Sequence, residues 1–186
     1  MTALRDRILA AAVDRTTRHG WASLTMARLA DDVGVSRQTV YNEIGGKDAL
    51  AQAIVLDELG RFLALVEAQF DRHPRDPVAG IASAASAVLA RAATHPLLRA
   101  IVSLDAGAQT DLLPLLTTDA GSVVEASIAV VTGRLKCYPA LGTRARAVTA
   151  DAVVRVVLSH MTQTTIDVER VTADIRWLAG RLLASA

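Results

Sequence analysis

Hydrophobic residues recur along most of the chain at the three- and four-residue spacing of α-helices, and the alternation typical of strands is nearly absent. The first segment, about Ala3 to His19, carries one apolar stripe formed by Ile8, Leu9, Ala12 and Val13. Gly20 follows this segment and suits a helix end, because glycine readily adopts the left-handed backbone conformation found there. The pattern therefore predicts an all-α protein that begins with a long helix.

Two short helices are predicted next, and a hydroxyl side chain marks the start of each. Thr25 can cap the first helix and Ser36 the second, since each hydroxyl can accept a hydrogen bond from an N–H of the first turn. Apolar pairs suited to a hydrophobic staple flank the two caps, Leu24 with Leu29 and Val35 with Val40. Gly34 lies between the helices, so the segment predicts a helix-turn-helix motif over about residues 25–44.

A longer helix is predicted from about Lys47 to Phe70, where the proline-rich segment His73 to Pro77 follows. About five further helices are predicted beyond that segment. We therefore expect two domains, residues 1–60 with the helix-turn-helix motif and residues 61–186 as a second helical domain.

The composition narrows the class of protein. Apolar residues make up 52% of the chain and aromatic residues only 3%, so the core is built mainly from Ala, Val, Leu and Ile. The longest apolar stretch, Val78 to Ala90, ends at Arg91 and falls short of the roughly 18 residues that a membrane span needs. The N-terminus lacks the apolar segment of a signal peptide, and the single Cys137 fits a reducing compartment. These features predict a cytoplasmic protein without a membrane partner.

The second short helix divides into an apolar and a polar face. Val40 and Ile44 are expected to point inward, which leaves a polar set outward: Arg37, Gln38, Thr39, Tyr41 and Asn42. Arg, Gln and Asn can make bidentate contacts with base edges in the DNA major groove, and hydroxyls can bind phosphates. The pattern thus favours DNA binding. It also fits a polar helix on the surface of a bundle, because some helix-turn-helix proteins bind no DNA.

The segment TMARLADDVGVSRQTVYNEIGGKDAL, Thr25 to Leu50, resembles the TetR/AcrR family of bacterial transcription regulators. The residues that match the family pattern are Thr25, Leu29, Ala30, Gly34, Val35, Ser36, Val40, Tyr41, Lys47, Asp48 and Leu50. The resemblance covers the first fifty to sixty residues, and the remainder is similar only in its length and helical character. It implies a homodimer, most often a repressor, that binds a palindromic operator and is released by a small effector.

The resemblance also implies roles for individual residues of the motif. The candidate phosphate contacts are Thr25, Arg28, Ser36, Tyr41 and Lys47, and the candidate base readers are Arg37, Gln38, Thr39 and Asn42. The formal net charge is only +1, and residues 1–50 contain seven Lys and Arg against six Asp and Glu. Electrostatic attraction to DNA is therefore modest, and contacts at defined positions must dominate.

The sequence departs from the family pattern in two pairs of residues. Arg15-Thr16 stands where the family often has Leu-Phe, and Glu43-Ile44 stands where it often has His-Phe. We expect Trp21 and Ile44 to fill part of the lost core volume. A glutamate would be repelled by DNA, so Glu43 is expected either to turn away or to pair with an arginine such as Arg28.

Family members dimerise through their last two long helices, and the sequence supplies two such helices. The segment Val148 to Met161 is apolar nearly all round, and the final helix has a stripe at Val168, Val171, Ile175, Leu178 and Leu182 with Trp177 on the opposite side. We predict a dimer interface formed by Val153, Val156, Ala173, Trp177, Gly180, Arg181 and Ala184. The alternative is one monomeric bundle.

The middle helices are expected to form the effector pocket. Polar residues at apolar-looking positions are scarce there, which indicates a lipophilic effector. The candidate lining consists of Phe62, Val66, Leu89, Leu97, Leu98, Ile101, Leu104, Val124, Ile128, Val131 and Val157, with His160 as a polar anchor. Each of these residues also fits an ordinary core position.

A small helical enzyme is the alternative class. Cys137 has no partner at a metal-ligand spacing, the four histidines are scattered, and Gly45-Gly46-Lys47 lacks the strand and glycine spacing of a phosphate-binding loop. We therefore predict no catalytic residues, no metal and no cofactor.

Overall fold

The computed structural model describes residues 3–95, 98, 120–161, 163 and 165–184. Within these residues the chain is helical and contains no strand, so the all-α prediction is confirmed. The helices are α1 (Ala3–His19), α2 (Met26–Val33), α3 (Arg37–Ile44), α4 (Lys47–Arg72), α5 (Pro77–Thr94), α6 (Ala120–Leu135), α7 (Thr143–Met161) and α8 (Val168–Ala184), with a 3-10 turn at Trp21–Ser23. Four of the roughly five helices expected after α4 are thus described.

The chain divides into two compact units, and the division falls inside α4. The first unit includes Met1–Leu59, and the second is formed by Gly60–His95 with Ala120–Ala186. Each unit has its own cluster of buried apolar residues.

The first unit is built around the apolar faces of its short helices. Ile8, Leu9 and Ala12 of the α1 stripe are buried in its core. Trp21 and Ile44 lie in the same core, where we expected both to fill volume. The helices supply too few residues to bury a core singly, so these side chains hold α1, α2 and α3 together.

The predicted signals at the helix ends are present in the structure. The Thr25 Oγ1 accepts a hydrogen bond from the Arg28 N–H and caps α2. Gly34 ends α2 in the left-handed conformation, with φ of 72° and ψ of 40°. Helix α5 begins after the proline-rich segment, where the Asp76 carboxylate accepts from the Ala79 N–H at 2.9 Å. Residue types that act locally thus set where these helices start and stop.

An ion pair joins α1 to α2. The Arg15 guanidinium donates two hydrogen bonds to the Asp32 carboxylate, from Nε to Oδ2 at 2.5 Å and from the terminal nitrogen to Oδ1 at 2.6 Å. The hydrogen bond from Arg15 lowers the pKa of Asp32, although partial burial opposes the shift. The neighbouring Thr16 is buried, and its hydroxyl has no hydrogen-bond partner within the described residues. Arg15 thus joins α1 to α2 through charge.

The second unit packs α5 between neighbouring helices. Phe70, Leu89, Leu135 and Ile175 are among its buried side chains. Gly80 lies so close to Phe70 that an added Cβ would be 2.9 Å from the ring. Helix α5 is also long and apolar enough to span a membrane by length and composition, but half of it is buried inside the fold, and core helices of soluble proteins pass the same test.

The buried face of α8 differs from the predicted stripe. The structure buries Val171, Ile175, Ala179 and Leu183, whereas Leu178 and Leu182 are only half-buried. The buried line advances in steps of four residues, and Ala179 belongs to it although its small side chain gave no strong signal. Leu178 and Leu182 therefore lie at the edge of the buried face of α8.

The Arg15–Asp32 pair generates a prediction about stability and pH. Asp32→Asn should lower the melting temperature at pH 7 by on the order of 2 °C, because an exposed pair contributes little. The folded-state pKa of Asp32 is lowered, so the stabilisation is complete above its unfolded value of about 3.9 and is lost as pH falls through the folded value. The difference in melting temperature between wild type and variant should therefore shrink below about pH 4.

Asp31→Asn is the matched control, since Asp31 is the adjacent exposed carboxylate on α2. It removes the same charge and should leave the melting temperature nearly unchanged. Thermal unfolding followed by circular dichroism from pH 7 to pH 3 measures both variants. Equal effects of the two substitutions at pH 7 would contradict a stabilising role for the ion pair.

Candidate nucleic-acid interface

Helix α3 is fixed by its inner face and presents its outer face to solvent. Val40 and Ile44 are buried in the core of the first unit, as predicted. Gly34 lets the chain turn sharply, and the Val35 N–H donates to the Ala30 carbonyl at 3.0 Å. Arg37, Gln38 and Asn42 are exposed. The outer face of α3 is therefore a polar surface held at a fixed angle to α2.

The beginning of α3 is capped as the sequence indicated. The Ser36 Oγ accepts from the Thr39 N–H at 3.0 Å and lies 2.8 Å from the Thr39 hydroxyl. Ser36 is exposed and Thr39 is half-buried. Because a helix N-terminus carries unpaired N–H groups and a partial positive charge, this end of α3 is suited to contact a phosphate.

Two side-chain pairs, each four residues apart, order the outer face of α3. The Arg37 guanidinium donates to the Tyr41 hydroxyl at 3.3 Å and lies 5.3 Å from the centre of the Tyr41 ring. The Gln38 Nε2 donates to the Asn42 Oδ1 at 2.8 Å. Residues at this spacing are neighbours on a helix surface, so each pair limits the rotamers of its members. The two pairs thus join four of the residues predicted to touch DNA.

Two arginines of α1 that the sequence did not single out fasten the helix-turn-helix motif. The Arg7 guanidinium donates to the Val33 carbonyl at 2.6 Å, at the end of α2, and the Arg5 guanidinium donates to the Glu43 carbonyl at 3.0 Å, near the end of α3. Carbonyls at a helix C-terminus lack intrahelical partners and carry partial negative charge, so cations stabilise them. Helix α1 therefore holds both helices of the motif by the same device.

The remaining candidate contacts lie around the start of α2 and of α4. The Arg28 guanidinium donates to the Ser23 carbonyl at 3.1 Å, and the arginine that reaches the backbone of Glu43 is Arg5. The Lys47 ammonium donates to the Trp21 carbonyl at 3.0 Å and lies 5.1 Å from the Trp21 ring centre. An ammonium has three donors, so Lys47 can keep this bond and still donate to a phosphate.

Most candidate effector residues lie in the second unit. Leu89, Val131 and Val157 are buried in its core, and Phe62, Val66 and Ile128 pack against that core in half-buried positions. Val124 and His160 are half-buried, and the His160 Nδ1 has no hydrogen-bond partner within the described residues. Leu98 is half-buried and belongs to the first unit. Leu97, Ile101 and Leu104 lie outside the described residues.

Aromatic and polar side chains of α4 contact residues of α5 and the residue after it at two places in the second unit. The Phe62 and His95 rings are 5.9 Å apart, and the Arg91 guanidinium lies 5.3 Å from the centre of the Phe62 ring. The Gln69 Oε1 accepts from the Ser83 hydroxyl at 2.9 Å. Within the described residues, no group of three or more His, Cys, Asp or Glu could hold a metal ion.

The candidate interface residues of α8 are at the surface. Trp177 is 64% exposed, and the Arg181 guanidinium lies 5.6 Å from the centre of its ring. Ala173 and Ala184 are exposed and Gly180 is half-buried. Apart from Trp177 and Arg181, these positions of α8 carry only small residues.

The structure corrects the expectation for α7. Val153 is only 5% exposed because this side of α7 faces the core of its own unit, so its side chain is not at the surface for a partner. Val156 is half-buried, and Val148 is 46% exposed. The apolar surface of α7 is therefore centred on Val148 and Val156.

Two models of protein families match the chain, one near its start and one over its larger C-terminal part. Residues 8–54 match the family model of bacterial regulatory proteins of the tetR family, and residues 76–181 match the model of the bacterial tetracyclin repressor C-terminal domain. The HTH-type transcriptional regulator AlkX of Mycobacterium tuberculosis (strain ATCC 25618 / H37Rv) is 30% identical over 174 residues, which are 92% of this chain and 81% of that protein.

Solved structures share the fold at lower identity. The TetR family repressor AlkX from Dietzia sp. strain DQ12-45-1b, implicated in biodegradation of n-alkanes, superposes with a TM-score of 0.76 at 24% identity and covers 98% of this chain and 96% of its own. The fatty acid degradation regulator FadR from Bacillus halodurans gives a TM-score of 0.64 at 18% identity, over 96% and 95% of the two chains. The family models cover both units, and the chain belongs to the TetR family of helix-turn-helix, DNA-binding transcriptional regulators.

Proposed function

We propose that the protein is a repressor that binds a palindromic operator as a homodimer and is released when a small lipophilic effector binds its second unit. The outer face of α3 carries this proposal, because its Arg, Gln and Asn side chains are ordered, exposed and of the types that read base edges. The protein would act by binding alone, without a catalytic step, in the bacterial cytoplasm where the chromosome lies.

In this proposal the dimer places two copies of α3 in successive major grooves, roughly 34–36 Å apart. Tyr41, Ser36, Thr25, Arg28 and Lys47 contact phosphates and set the register, while Arg37, Gln38, Thr39 and Asn42 face the bases. The effector favours a conformer with another spacing between the two copies of α3, and affinity for the operator falls. Helix α4 is the natural link, since it begins at Lys47 in the first unit and ends at Arg72 in the second.

Two observations support a lipophilic effector. The candidate lining residues of the second unit are aliphatic apart from the aromatic Phe62 and the partly exposed His160. Two similar proteins carry names that refer to biodegradation of n-alkanes and to fatty acid degradation. Both point to effectors with long apolar parts.

Arg37→Ala tests the DNA-binding face. The variant should bind the operator at least about thirtyfold more weakly, because the dimer loses one bidentate base contact in each of its two half-sites, and its binding to unrelated DNA should fall by less. Fluorescence anisotropy at fixed low salt measures both affinities, with operator duplexes selected from random sequence and with DNA upstream of the gene.

Arg75→Ala is the matched control, since Arg75 is an exposed arginine of the second unit. It should leave operator affinity unchanged. The proposal fails if the wild-type protein binds every duplex alike at low salt, or if no selected site is palindromic.

Trp177→Glu tests the dimer. A dimer interface with twofold symmetry contains each residue twice, and an exposed tryptophan is a typical anchor, so two buried charges should raise the dimer dissociation constant at least about a hundredfold. Leu56→Glu is the matched control, because Leu56 is 65% exposed on α4 in the other unit. Analytical ultracentrifugation measures both variants, and a Trp177→Glu protein that still dimerises like wild type would place the interface elsewhere.

Effector release is tested by native mass spectrometry of the purified protein followed by titration. We expect mass spectrometry to detect a bound apolar small molecule. Adding this molecule should raise the dissociation constant of the operator complex, and the ratio of the dissociation constants with and without it defines the coupling factor. Thermodynamic reciprocity then requires that operator DNA weaken effector binding by the same factor. An effector that binds tightly and leaves operator affinity unchanged would refute the coupling.

A further inference from the structure

We propose that Asn42 is a positioning residue that holds the Gln38 amide for reading adenine, so that the two side chains together set the preference for one A·T base pair. The inference rests on the proposed function, in which α3 lies in the major groove. It is carried by the hydrogen bond from the Gln38 Nε2 to the Asn42 Oδ1, at 2.8 Å, between two exposed side chains.

The position of each residue on α3 assigns the two roles. Gln38 is the second residue of α3, and Asn42 follows one turn later. In helix-turn-helix proteins the N-terminal residues of the recognition helix contact base edges. Gln38 is therefore placed to reach a base, and Asn42 is placed to support it from the side that faces away from the helix start.

After it donates to Asn42, Gln38 still has the hydrogen-bonding groups that it needs to bind adenine. A glutamine amide has two N–H donors and an oxygen with two lone pairs. The bond to Asn42 uses one donor, so Gln38 keeps one N–H and its oxygen. Adenine presents the N7 acceptor and the N6 amino donor in the major groove, and these two groups require one donor and one acceptor. When both amides are turned over together, Gln38 instead keeps two N–H donors and one lone pair, which still supply one donor and one acceptor.

Preorganisation explains what the bond contributes. An exposed glutamine samples many rotamers and loses that freedom when it binds a base. The Asn42 oxygen restricts the Gln38 side chain before DNA arrives, and more of the contact energy then appears as discrimination between bases. Tyr41 restricts the Arg37 side chain in the same way, because its hydroxyl accepts from the guanidinium and its ring lies beside it.

The backbone beneath the pair is held independently of it. Val40 and Ile44 anchor α3 in the core, and Arg5 donates to the Glu43 carbonyl. Removing either amide should therefore leave the helix in place. This separation makes base preference, rather than folding, the quantity that reports on the pair.

The test is a double-mutant cycle on base preference. Wild type, Gln38→Ala, Asn42→Ala and the double variant are each titrated, at fixed salt, against a selected operator and its symmetric single-base-pair variants, with circular dichroism as the check on folding. We expect one position at which wild type prefers A·T about tenfold or more. Gln38→Ala should abolish that preference, and Asn42→Ala should reduce it severalfold while leaving the preferences at other positions intact.

Two further results decide the mechanism. In the Gln38→Ala background, Asn42→Ala should change nothing further at that position. Asn42→Asp keeps the acceptor oxygen, so it should retain the A·T preference while its charge weakens binding to all sequences alike. Two results would overturn the inference and leave the proposed DNA binding standing. In the first, Asn42→Ala weakens binding to all sequences equally. In the second, Asn42→Ala has the same effect on binding in the wild-type and in the Gln38→Ala background. Absence of any sequence preference in wild type would instead overturn the proposed function.

Discussion

A helix of eight residues is not stable by itself in water, and α3, which carries the proposed reading surface, has only eight. Its geometry must come from the groups that hold it. The Ser36 hydroxyl caps its start, Val40 and Ile44 bury its inner side, and Arg5 satisfies a carbonyl near its end. Arg7 does the same for α2. The orientation of the outer face within the first unit is therefore set by the elements packed around α3, and these include α1, which makes no proposed DNA contact.

The same dependence explains how the first unit tolerates its unusual residues. Trp21 is buried in the core, and its carbonyl accepts from Lys47 at the start of α4. One residue thus fills apolar volume and also ties α4 to the motif. Arg15 contributes its ion pair with Asp32, which connects α1 to α2 from outside the core. Polar connections at the edge of this unit therefore supplement its apolar core.

Features fixed by neighbouring residues could be predicted from the sequence, and features fixed by distant partners could not. The bounds of α1, the caps at Thr25 and Ser36 and the left-handed Gly34 follow from local preferences, and the structure has all of them. The partners of Arg5 and Arg7 lie 38 and 26 residues away and leave no local signal. The stripe predicted on α8 was right at Val171 and Ile175 but missed Ala179. The packing of a neighbouring helix, and not residue size, decides that Ala179 is buried. Val153 was assigned to the dimer interface, although it is buried in the core of its own unit, because both sides of α7 are apolar in sequence and do not distinguish the two surroundings.

Glu43 acquires a physical interpretation from its surroundings. A negative side chain in the last turn of a helix is unfavourable, because carbonyl dipoles there already carry partial negative charge. Arg5 brings a cation to the Glu43 carbonyl and so offsets part of that cost. The first fifty residues remain almost neutral, with seven basic against six acidic residues. Nonspecific attraction to phosphates scales with the number of neutralising cations, whereas base contacts do not. In the proposed function, a nearly neutral charge balance with an acidic residue on α3 adds little sequence-independent attraction, so base contacts must supply the ratio of operator binding to random-DNA binding that lets a regulator find its site in a genome.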